Sequence, residues 1–233
     1  VIPSGDHDNH LKEFSKNPNK GYYKHALQMS NLFKSISFRW VWAMIICIVG
    51  MPGSGKGQIV KIFGKYGVPH VSMGDIVREE ADKRGIPRTP EGMNSVSIQL
   101  RQELGDNAVA KLTIPKVKEL LKKHKAVIID GVRSLEEIQT FKDAFPDEKI
   151  IIIAVHSSPR KRFERLSRRG RSDDPKTWSE FEARDWKELK FGIGSVMALA
   201  DYLIVNENHI AEYKREIERL AEKLGLKSNR ATS

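Results

Sequence analysis

The sequence predicts an α/β fold in which a parallel sheet carries helices on both faces, and three observations predict it. Short apolar runs recur at Met44 to Val49, Val68 to Val71, Ala126 to Ile129, Ile150 to Val155 and Tyr202 to Val205. Charged, amphipathic stretches separate them, and the first run leads straight into a glycine-rich turn, Gly50 to Gly57. Strands alternating with helical patterns imply right-handed crossovers and a parallel sheet. With 233 residues the chain is long enough to bury a core as one such domain. Ligands of these sheets gather at the carboxyl ends of the strands, so each strand end is read for chemistry.

The first strand ends in GMPGSGKG. Small residues let successive backbone N–H groups turn inward around a phosphate, and Lys56 adds a cation for the outer phosphates. A helix expected over Lys56 to Tyr66 adds the partial positive charge of its N-terminus. Gly50, Met51, Pro52, Gly53, Ser54, Gly55, Lys56, Gly57 and Gln58 are therefore the candidate phosphate-binding residues. The apolar stretch Trp40 to Met51 is too short to span a membrane and runs into this loop, so it is read as the first strand. Residues 1–43 differ from the rest: polar at first, then basic and aromatic without a clear period. They are expected to be an N-terminal extension outside the core fold, with the functional domain at 44–233.

After the second run comes SMGDIVR, where a turn opens a helix that carries Arg78 about one turn along; Asp75 is either part of a site there or only the residue that caps the helix. The third run ends in IDGVR. An acidic residue at a strand end beside a phosphate loop is placed to hold Mg²⁺ through water, which makes Asp130 the metal candidate; Arg133 is placed to clamp an acceptor phosphate. The fourth run feeds PRKRFERLSRRGR, which sets Arg162, Arg165 and Arg169 on one helical face with Arg168 and Arg171 near its end. Left unpaired, so dense a basic face would repel itself, which argues that it awaits phosphates. Arg184 follows on the next helix, and the last strand, ADYLIVN, leads to Asn206 in a loop expected to pack on a nucleobase.

A net charge of +10 points to anionic partners: nucleotides, phosphorylated metabolites, nucleic acid or an anionic surface. The one cysteine, Cys47, lies inside the first strand, which rules out a disulfide framework within the chain and fits a reducing, cytoplasmic setting. Cys47 reads as a small buried hydrophobe.

Taken together these segments resemble the nucleoside monophosphate kinases, adenylate kinase among them, and the related dephospho-CoA kinases. The resemblance runs from Met44 to about Leu224 and is nearest to an archaeal group of P-loop kinases described as dephospho-CoA-kinase-like or adenylate-kinase-related. GMPGSGKG looks like that family's loop; SMGDIVR is similar to its Ser-Thr-Gly-Asp segment, with Met73 in place of threonine; IDGVR is similar to Asp-Gly-Phe-Pro-Arg, one residue shorter. RSDD, from Arg171, matches the end of the family's lid, and ADYLIVN resembles the terminal strand of dephospho-CoA kinases.

The resemblance implies a three-layer P-loop NTPase fold with a five-stranded parallel sheet in the order 2-3-1-4-5. It also implies acceptor-binding helices at about 74–123 and a short lid at about 160–174. ATP and Mg²⁺ are the implied cofactors, and the implied activity is transfer of the γ-phosphoryl group to a nucleoside monophosphate or similar small phosphorylated acceptor or, as the alternative, to dephospho-CoA, with no membrane. Lys56, Arg133, Arg165, Arg169 and Arg171 would be catalytic; Asp75, Arg78, Arg133 and Arg184 would hold the acceptor; the loop residues and Asn206 would hold ATP; and Asp130 would hold the metal. The rival from another class is a nucleotide-dependent ATPase or switch that binds RNA through its basic and aromatic segments.

Overall fold

A computed structural model describes residues 43–227 apart from 172 and 173, so the proposed extension at 1–43 lies, all but Ala43, outside the described residues. Five strands form one sheet: β1 (Met44–Val49), β2 (His70–Ser72), β3 (Ala126–Asp130), β4 (Lys149–His156) and β5 (Tyr202–Val205). Every pairing is parallel and the order is β2-β3-β1-β4-β5, as the resemblance implied.

Central position explains the composition of β1. Ile45, Cys47 and Val49 face one layer of helices, α2 (Met73–Lys83), α3 (Pro90–Leu104), α4 (Ala108–Leu121) and α5 (Leu135–Ala144), through partners such as Val77, Leu100, Val117 and Phe141. Ile46 and Ile48 face α1 (Gly57–Gly64) and α9 (Ile210–Lys223) through Ile59, Phe63, Tyr213 and Ile217. A strand buried on both faces needs an unbroken apolar run, and MIICIV supplies one. Burial pushes the Cys47 thiol up to about 12, so it stays protonated and packs as a hydrophobe. The remaining helices are α6 (Pro159–Arg169), α7 (Trp178–Lys190) and α8 (Ile193–Ala198).

One boundary moves. The apolar run at 68–71 forms ladder bonds only from His70 to Ser72, because Pro69 has no N–H to donate; its carbonyl instead accepts from Ile128 N at 2.9 Å. The registers place Ser72 beside Asp130 and Asp130 beside Ile48, so the ends of β2, β3 and β1 lie side by side. Local sequence then opens helices where the chain leaves the sheet: Ser72 caps α2 by accepting from Asp75 N, and Ser134 caps α5 by accepting from Glu137 N. Among the described residues no helix is long and apolar enough to cross a membrane.

Candidate active site

The loop after β1 is shaped by what packs against it. Gly53 has φ +81°, and a Cβ there would lie 2.8 Å from the Arg162 carbonyl oxygen; Gly55 has φ +107°, and a Cβ would run into the Asn206 amide. Both are positions where L side chains are strained whatever the space. Ser54 N donates to Met51 O at 3.1 Å, closing the turn. Lys56 curls across its own loop and donates to Gly50 O at 2.6 Å. Burial pulls its ammonium below the usual lysine range, while Asp130 and Glu188 pull it back.

Behind the loop stands a polar brace. Asn206 is buried; its amide donates to Ser54 O at 2.8 Å, and its carbonyl accepts from Ser157 Oγ at 2.6 Å and Arg165 Nη2 at 2.8 Å. Tyr213 Oη donates to Gly55 O at 3.1 Å. Arg165 also donates to Ser157 Oγ at 2.7 Å. Asn206 thus sits against the back of the loop, fixed by three elements at once.

A cleft of about 510 Å³ opens at these strand ends. It is lined by Gly50, Pro52, Gly53, Gly55 and Lys56 of the loop, by Gly57 at the start of α1, by Met73 and Arg78 of α2, by Asp130 at the end of β3 and by Arg133 just beyond it. Arg165, Arg169, Arg171 and Arg184 line its other side. The structure therefore brings Lys56, Asp130, Arg78, Arg133 and these four arginines to one cavity. It leaves Met51, Ser54, Gln58, Asp75 and Asn206 out of the lining: Met51 packs on the core, Ser54 is fully buried and Gln58 is half-buried in α1. Asp75 turns to Arg78, accepting from its Nε at 2.9 Å.

The basic helix is less uniform than its spacing predicts. Arg162, 3% exposed, faces inward and grips Asp185 through both terminal nitrogens, one at 2.8 Å, and also donates to Ser157 O at 3.1 Å and Pro52 O at 3.3 Å. Asp174 collects a second group: Arg169 Nε at 2.9 Å, Arg171 N at 2.9 Å and Arg184 Nη1 at 3.7 Å. Burial raises the Asp174 carboxyl, but these donors outweigh it and hold it below the usual carboxylate range. Neighbouring carboxylates thus offset part of the charge that spacing alone left unpaired. Asp173, the other member of the acidic pair, lies outside the described residues.

Three further residues of the cleft carry no family motif. Glu188, 7% exposed, lies 3.2 Å from Arg133 Nε; Glu137, 3% exposed, accepts from Arg133 N at 2.7 Å; Arg101 reaches in from α3. Burial raises the Glu137 carboxyl, with Arg133 acting against it. The Ser134-x-x-Glu137 spacing is a capping-box signal from which a placed carboxylate could have been read. Arg101 and Glu188 have no such local signal. Two buried side-chain oxygens lack any hydrogen-bond partner among the described residues, Ser54 Oγ and Asp130 Oδ1.

The glycine-rich loop after β1 and the parallel sheet with helices on both faces define a P-loop α/β protein. A family model described as "AAA domain" matches residues 49–182, more than half of the chain. A UPF0200 protein of Thermococcus sibiricus is 85% identical over 184 residues, covering 79% of this chain and 97% of that protein. One of Hyperthermus butylicus is 49% identical over 181 residues, 78% of this chain and 95% of that protein. The chain belongs to this UPF0200 family of P-loop proteins. Among solved structures, shikimate kinase from Bacteroides thetaiotaomicron is similar with TM-score 0.51 at 18% identity, over 78% of this chain and 98% of that one. TT1252 from Thermus thermophilus is similar with TM-score 0.54 at 14% identity, with the same coverage. At those identities the likeness establishes the fold.

Proposed function

We propose that this protein is an ATP- and Mg²⁺-dependent small-molecule kinase that moves the γ-phosphoryl group of ATP to a nucleoside monophosphate or a similar phosphorylated acceptor. The observation that supports this reading is the charge of the cleft: eight lysine and arginine residues line it against three carboxylates, Asp130, Glu137 and Glu188. An excess of cations in a confined space matches two polyanions brought together, and phosphoryl transfer depends on positioning and charge stabilisation above all.

In this reading Lys56 gives up its bond to Gly50 O and donates to the outer phosphates of ATP, while the loop amides cradle the rest. Asp130 suits a hydrated divalent cation: its Oδ1 is buried without a partner, at a strand end, within electrostatic reach of Lys56. Bound there, Mg²⁺ would offset charge on the β- and γ-phosphates. The bond from the γ-phosphorus to the β–γ bridging oxygen breaks, a bond to an acceptor oxygen forms, and ADP departs. Arg78 and Arg133 orient the acceptor, and Arg184, held by Asp174, meets it from the other side of the cleft. Arg169 and Arg171 close over the transferring group and exclude water, while Arg165 holds the loop from behind through Ser157 and Asn206.

An acceptor screen tests the reading. ADP formation is followed with ATP and Mg²⁺ in the presence of nucleoside monophosphates, deoxynucleotides and dephospho-CoA, against a tube without acceptor. Stimulation by one acceptor is expected, and equal turnover in every tube would sink the proposal. Arg133→Ala should then raise the acceptor KM by about 10–100-fold, the loss of a charge-assisted contact of roughly 1.5–3 kcal/mol, and leave the ATP KM within about twofold. Unchanged acceptor kinetics in that variant would remove Arg133 from its assigned role.

A further inference from the structure

Arg101 differs from most arginines of the cleft: Arg78 has Asp75, Arg133 has Glu188, Arg169 and Arg184 have Asp174, and Arg165 has the oxygens of Ser157 and Asn206. Arg171 also has no carboxylate on its side chain among the described residues, but it is exposed. Arg101 is half-buried, yet its one protein hydrogen bond among the described residues goes to Ser97 O, at 3.1 Å, within its own helix. No carboxylate of the described residues lies within ion-pair distance of it. Burial pulls this guanidinium below the usual arginine range.

Its position is held from one side. The guanidinium carbon of Arg101 lies 4.6 Å from the centre of the Phe191 ring, and that of Arg133 lies 5.9 Å from the same ring. Stacking on an aromatic face fixes the plane of a guanidinium while leaving its N–H edge to face outward. Two cations drawn to one ring repel each other, and more strongly where water is scarce. Both line the cleft, and both also line an adjoining cavity of about 410 Å³. The pair therefore stands at the junction of two cavities, both of which Glu137 also lines.

We infer that Arg101 and Arg133 form a phosphate subsite on the acceptor side of the cleft, which holds a phosphate monoester of the acceptor while the remainder of that molecule extends toward the adjoining cavity. This rests on the kinase reading above and adds a specificity-determining residue that no motif assigns. Two guanidiniums gathered at one ring suit a tetrahedral oxyanion, which accepts several hydrogen bonds at once. Phe191 acts as the positioning residue behind them.

Calorimetric titration of inorganic phosphate into the full chain decides the matter. The donor site is first filled with Mg²⁺ and an ATP analogue bearing a methylene group between the β- and γ-phosphorus, and chloride keeps ionic strength constant. The wild type should bind phosphate at one site, Arg101→Ala should weaken that binding at least tenfold, and Arg101→Lys, which keeps charge but loses the flat stacking surface, should fall between. Affinity for the ATP analogue should stay within twofold in all three. Wild-type phosphate affinity in Arg101→Ala would overturn the inference, as would a parallel loss of analogue affinity, which would mean that Arg101 supports the donor half or the fold. If the analogue binds and phosphate does not, the subsite falls and the donor reading stands. If the wild type binds no analogue, the kinase reading falls and takes the subsite with it.

Discussion

Lys56→Ala is expected to lower kcat for phosphoryl transfer by about 10²–10³-fold, the usual loss when a preorganised donor to a reacting group is removed. It should not lower the melting temperature. The ammonium is desolvated, its proton-bound form is disfavoured by that burial, and its bond to Gly50 O is one that the loop forgoes without unfolding. Thermal melting of the variant beside the wild type, together with single-turnover transfer, separates the two effects. A variant that lost both stability and activity would make Lys56 a structural strut and leave its catalytic role unsupported.

Arg162→Met is expected to behave in the opposite way. The Arg162–Asp185 pair is buried, at 4% and 15% side-chain exposure, and stripping one partner leaves a desolvated carboxylate without its cation. Such losses cost about 3–5 kcal/mol. For a domain of this size that corresponds to a fall in melting temperature of roughly 10 °C. The double variant Arg162→Met, Asp185→Leu should recover most of it, because the expensive state is the lone charge and not the missing pair. Activity should stay low in the double variant even so, because the Arg162 side chain also donates to Pro52 O of the loop and to Ser157 O. Additive melting shifts in the two single variants and the double would contradict this account of the pair.

That second residue shows where reading the sequence reached its limit. The fold was legible because its signals are local: five apolar runs at buried-strand length, and glycines where the loop needs positive φ. Lys56, Asp130, Arg78 and Arg133 reached one cleft because each follows a strand end, and parallel strands bring their carboxyl ends to one edge. What spacing along a helix could not supply was the identity of partners from other elements. Arg162 and Arg165 look alike in PRKRFERLSRRGR, yet Asp185, 23 residues on, claims the first, while Ser157 and Asn206 claim the second.

Asn206 illustrates the same point from the last strand. Its position beside the loop followed from the sheet order, but its engagement with the Ser54 carbonyl depends on how β5 ends against β4. Arg101 and Glu188 were invisible for a related reason: each lies in the last turn of its helix without a cap or motif, and only the packing of α3 and α7 toward the cleft gives either one a role.

The central claim is that the γ-phosphoryl group ends on an acceptor and not on water. The most direct test labels the γ-phosphate of ATP, incubates it with the protein, Mg²⁺ and the acceptor that most stimulates ADP formation, and follows where the label goes. The account predicts label in the acceptor in proportion to the ADP formed, with transfer abolished by Lys56→Ala. Label released only as inorganic phosphate, at a rate the acceptor does not alter, would contradict it and identify a nucleotide hydrolase built on the same loop.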